Sequence, residues 1–164
     1  MKARPWMRTI GPAIGLTLAA ALLASCSTGP VRRVSEPAAR IQQLTVRANG
    51  SWTVEVRLEN FSSIPMRFDR FDLQLKLGED SAGQLQAQPA LSIGPESADV
   101  VKVELTPSGT AKIAVADALA GGRSLNYSLK GDVVATPDEA KQRTFAIERS
   151  SALSPAPGLP GVMR

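Results

Sequence analysis

Side chains that could do chemistry are few in these 164 residues, and what is missing narrows the field first. There is no histidine and only one cysteine, Cys26. That removes a Ser-His-Asp triad, a Cys-His dyad and the usual histidine-bearing zinc sites. Acid/base work would therefore fall to paired carboxylates, which occur at Asp69 with Asp72, Glu79 with Asp80, and Asp138 with Glu139. Each pair falls at a strand irregularity or a polar turn, where solvated charge is the ordinary reading, so no enzyme activity is expected. Gly121-Gly122-Arg123 could cradle a phosphate, but it lacks the length and the lysine of a P-loop and is expected to stop a helix.

Cys26 is different because of what precedes it. Lys2, Arg4 and Arg8 form a positive start, an apolar run follows from about Ile10 to Leu23, and Leu23-Ala24-Ser25-Cys26 ends it. The run is short for a bilayer span, which needs roughly 20 apolar residues. The tetrapeptide resembles the bacterial lipoprotein signal. That resemblance implies a diacylglycerol in thioether linkage to Cys26, cleavage between Ser25 and Cys26, and an N-acyl chain on the new amine. A lone cysteine also cannot close an internal disulfide, so the folded part must depend on its core. Several acyl chains together hold a protein on a membrane for practical purposes permanently. Ser27 stands where inner-membrane lipoproteins often carry aspartate, and this implies the periplasmic face of the outer membrane. Membrane lipid is the expected partner, and a protein partner in the envelope is an open alternative.

The whole chain carries a formal charge of +4, but Lys2, Arg4 and Arg8 hold three of its nineteen basic residues, leaving sixteen against fifteen acidic ones. A near-neutral mature chain without basic clusters argues against nucleic-acid binding. No metal and no dissociable cofactor are expected.

Residues 26–38 read as a flexible tether containing Arg32 and Arg33, which would either contact anionic headgroups or stay solvated. Residues 39–150 then read as strands. Trp52, Val54, Val56 and Leu58 alternate with polar neighbours, the period of a strand with one buried face. Ala48-Asn49-Gly50-Ser51 supplies a hairpin turn before it. Met66 and Phe68 lie on even positions and Phe71, Leu73, Leu75 and Leu77 on odd ones, so a bulge near Asp69 and Arg70 must keep both sets facing one core. Residues 110–120 form the one expected helix. Trp52, Phe68, Phe71, Tyr127 and Phe145 are expected to point inward. Residues 151–164, rich in Pro and Gly, read as a disordered tail.

About seven strands over some 110 residues predict an all-β fold, an antiparallel β-sandwich of immunoglobulin or fibronectin type III-like architecture, with a small barrel as the alternative. Val54-Glu55-Val56-Arg57-Leu58-Glu59-Asn60, the following Ile64-Pro65, and Tyr127-Ser128-Leu129-Lys130-Gly131-Asp132-Val133 resemble the late embryogenesis abundant type 2 family, also described by its water stress and hypersensitive response domain. Phe61 departs from the proline that often follows the asparagine there. The resemblance implies a sandwich linked to desiccation or stress tolerance, with no catalytic centre to transfer. The resemblance implies that Asn60, Pro65, Tyr127 and Gly131 are structural positions of the family, and on the residues themselves Asn60 is expected to close a turn through its side chain and Gly131 to permit a bend or bulge in a strand.

Overall fold

A computed structural model describes residues 32–164. They form an all-β antiparallel sandwich of nine strands and one helix: β1 (Ala38–Val46), β2 (Trp52–Asn60), β3 (Met66–Leu77), β4 (Asp80–Ala87), β5 (Leu91–Ile93), β6 (Ser97–Leu105), α1 (Gly109–Ala120), β7 (Leu125–Pro137), β8 (Arg143–Leu153) and β9 (Val162–Met163). One sheet runs β6-β2-β1-β9 and the other β4-β3-β7-β8, with β5 also paired to β3.

The alternation in the sequence explains the core. Trp52, Val54, Val56 and Leu58 of β2 are all buried in one hydrophobic cluster with Leu73, Leu75, Leu129 and Val133 of the other sheet. In β3 the pairing with β7 shifts between Phe68 and Arg70, so Asp69 is the additional residue. Met66 and Phe68 before it, and Phe71, Leu73, Leu75 and Leu77 after it, are therefore all buried despite their opposite parity. Phe145 is only half-buried.

The α1 helix starts where Ser108 accepts a hydrogen bond from the Ala111 amide, and it buries Ala111, Val115 and Ala118 at successive turns of one face. Gly121-Gly122-Arg123 ends it. Their three amides donate to the carbonyls of Asp117, Leu119 and Ala118 in turn, so this segment is a helix stop.

Two expected boundaries are corrected. The segment 151–164 is not a disordered tail: β8 continues to Leu153, and Val162–Met163 pair with Thr45 and Leu44 at the edge of β1. Ser154 and Arg164 exchange two backbone hydrogen bonds, of 2.6 and 2.8 Å. Gly158 and Gly161 sit at φ +75° and +73°, so the glycines that looked disorder-prone reverse the chain and return it to the sheet. Leu153, Val162 and Met163 are buried as a result. The tether expected over 26–38 also ends early, because residues 32–37 are docked against loops and β1 begins at Ala38.

Candidate functional site

The registers place the start of β1, the ends of β2 and β7, and the starts of β3 and β6 at one end of the sandwich. Asn60 organises this end. It closes β2 with its side chain almost fully buried, and its amide nitrogen donates to the carbonyls of Ile64, Ile93 and Gly94 at 2.9–3.1 Å. Its side-chain oxygen accepts from the Ser62 amide at 2.9 Å, the turn-closing contact expected of it. One side chain thus ties the β2–β3 loop to the turn after β5. Pro65 adds a backbone clasp by accepting from the Asp138 amide at 2.9 Å.

The incoming chain docks on the same loops. The Arg33 amide donates to the Ser63 hydroxyl at 2.8 Å, and the Ser63 amide donates back to the Arg33 carbonyl at 3.0 Å. The Ser35 amide donates to the hydroxyl of Ser62, which is fully buried. Arg32 pairs with Glu139 at 2.7 Å and approaches Asp138, while Arg33 lies 3.5 Å from Glu96. These arginines hold the chain to its own body, which neither the headgroup reading nor the solvated-linker reading foresaw. Ser62 and Ser63 were missed as docking residues because a serine pair in a loop carries no periodic signal.

The carboxylates that looked paired in the sequence turn to different partners. Asp69, the bulge residue, accepts from the Thr136 hydroxyl at 2.7 Å, the Gln142 amide at 2.9 Å and the Arg67 guanidinium at 2.7 Å. The Thr136 hydrogen bond does most to hold its carboxyl below the ordinary value. Partial burial opposes that, and Gln142 and Arg67 add to it. Asp72 instead accepts from Gln84 and Gln86 on β4. Glu79 and Asp80 are exposed at the β3–β4 turn. Asp138 and Glu139 do border one open cleft together, and both face the Arg32 guanidinium. Among the described residues, no cluster of three or more Asp, Glu, His or Cys side chains is placed to hold a metal ion.

Tyr127 and Gly131 lie on the inward face of β7. The Tyr127 hydroxyl accepts from the Ile41 amide of β1 at 3.2 Å, which links the two sheets across the core. No bulge falls at Gly131, where β7 stays in register with both β3 and β8. What requires glycine there is close approach: a methyl built on Gly131 would overlap the carbonyl oxygen of Asp72 on β3, and the backbone stands at φ +157°. The expected cleavage and lipidation residues, Ser25 and Cys26, lie outside the described residues.

No protein-family model and no curated protein matches the chain. Similar solved structures include a protein described as ApaA from Bordetella pertussis, with 10% identity over 79% of this chain and 100% of that chain and a TM-score of 0.49. A solution structure described as a late embryogenesis abundant protein has 13% identity over 89% and 79%, with a TM-score of 0.47. A solution structure from Arabidopsis thaliana has 11% identity over 80% and 89%, also at 0.47.

Proposed function

We propose that this chain is a non-enzymatic lipoprotein whose sandwich serves a desiccation- or stress-protective role of the late embryogenesis abundant type 2 kind. In this reading, diacylglycerol and N-acyl chains on Cys26 hold it at the periplasmic face of the outer membrane. The observation that carries the protective reading is the employment of the residues behind the family resemblance. Asn60 ties three carbonyls together, Tyr127 links the two sheets, and Gly131 permits β3 and β7 to approach. A motif engaged in holding the fold suits a family defined by its sandwich and lacking a reaction centre. Leu23-Ala24-Ser25-Cys26 supports the anchor and Ser27 supports the outer-membrane assignment. Residues 27–31 alone separate Cys26 from the docked chain, a reach of about 20 Å when fully extended.

Mass spectrometry of the membrane-extracted protein tests the anchor: an acylated Cys26 as first residue is expected, and an unmodified thiol there defeats it. The protective role predicts that purified mature protein preserves a labile enzyme through drying better than albumin does. Equality with albumin would remove that role.

The second reading, an envelope adaptor, is favoured by β8. It ends the five-stranded sheet and is mostly exposed from Glu148 to Ala152, an edge suited to strand addition. An adaptor would yield one dominant partner on crosslinking, whereas a protectant would yield no stoichiometric one.

A further inference from the structure

At the end of the sandwich opposite Asn60, an open cleft of ≈ 500 Å³ lies between α1, the β1–β2 turn and the segment before β9. Its volume is within the range of small-ligand sites. Val46, Trp52, Val115, Leu119 and Pro160 make its apolar lining. Ile113 and Leu159, 71% and 45% exposed, belong to the same two flanking segments. Two of the three most exposed large apolar side chains among the described residues therefore lie in the segments that border one concavity.

The charged residues of its lining have one sign. Arg47 and Lys112 are the only ionisable residues in the lining. Arg47 is engaged, donating to the Thr53 hydroxyl at 2.6 Å and lying 3.7 Å from Glu104. Lys112 has no ion pair or side-chain hydrogen bond among the described residues. Its ammonium lies 3.5 Å from where a side chain on Gly50 would begin, which places it over the β1–β2 turn at the rim. An apolar floor with a free ammonium at its edge complements a molecule with an apolar chain and an anionic head. The volume suits one chain and not the two of a phospholipid.

We propose that this cleft binds a single-chain anionic amphiphile of the fatty-acid class, with its chain on the accessible Val46, Leu119 and Pro160 and its carboxylate on Lys112. None of these residues depends on Cys26, so the site stands or falls separately from the membrane anchor.

The test is photocrosslinking of the full chain in lipid nanodiscs with a diazirine-bearing dodecanoate, followed by mass-spectrometric mapping. Adducts are expected in peptides containing residues 46–52 and 112–119, competed by dodecanoate and not by dodecanol. Lys112→Glu, at an exposed helix position, should cut this labelling about tenfold, the scale of one lost charge-assisted contact. Ala116→Trp, also exposed, should block the cleft and cut labelling similarly while circular dichroism stays unchanged. Equal competition by dodecanol, labelling spread over the outer sheet faces, or a Lys112→Glu chain labelled like its parent would overturn the proposal. Crosslinks joining two copies through the cleft would assign it to self-association and overturn it as well.

Discussion

The two ends of the sandwich are closed by different kinds of interaction. At the Asn60 end, loops are fastened by directional contacts: one buried amide serving three carbonyls, two serines receiving the incoming chain, and a carboxylate with three donors. At the helix end, Trp52, Ala111, Val115, Ala118, Leu153 and Met163 form a buried apolar layer, and the side-chain hydrogen bonds, such as Ser108 to Ser81 and Arg47 to Thr53, lie outside it at exposed or part-buried positions. Hydrogen bonds demand particular partners in particular places, whereas apolar contact is non-directional and tolerates changes of shape. The Asn60 end is accordingly where substitutions should act by geometry and charge, and the helix end where they should act by volume.

The strongest challenge to this contrast is Trp52→Ala. Trp52 is 1% exposed, and removing it leaves a cavity at the helix end that should cost about 3–5 kcal/mol, read as a lower midpoint in denaturant unfolding. Trp52→Phe should recover much of that loss, as expected where volume decides. Asn60→Ala should cost about 2–3 kcal/mol by leaving buried carbonyls without donors. Here Asn60→Asp, nearly the same size, should rescue little, because a carboxylate cannot donate to three carbonyls. If Asp restores stability as well as Phe does for Trp52, the contrast fails.

The smallest expected effect is acid sensitivity localised to Asp69. Its folded carboxyl titrates below the ordinary 3.8, so in the window between the two values the unfolded chain binds more protons than the folded one. The stabilisation it gives is complete above that ordinary value and is lost as pH falls toward the folded one. Asp69→Asn should flatten the acid limb of a stability-versus-pH curve measured by thermal unfolding. An unchanged limb would mean that other carboxylates set it.

Much of the core was legible in the sequence because strict alternation leaves only one way to bury a face. The β2 strand and the parity switch in β3 both pointed to the right inward residues, and the switch narrowed the bulge to Asp69 and Arg70, of which Asp69 is the additional residue. Backbone pairing without apolar alternation was not legible. Asp80-Ser81-Ala82-Gly83 reads as a turn yet forms the first half of β4, because an edge strand needs only a neighbour's free ladder. The β9 strand has just two residues among glycines and prolines, and nothing local distinguishes it from a loose end. At the Asn60 end, the sequence indicated that Asn60 would close a turn, but not that Ser62 and Ser63 would meet residues some thirty positions earlier.

The pairing of β9 with β1 also bears on when this molecule can finish folding. Leu44 and Met163 are neighbours in the sheet although more than a hundred residues separate them along the chain. A polypeptide emerging from its amino end exposes one flank of β1 throughout synthesis, and that flank is covered only when residues 162 and 163 arrive. Closure of that last seam is therefore a late event, whatever the rest of the sandwich has already formed.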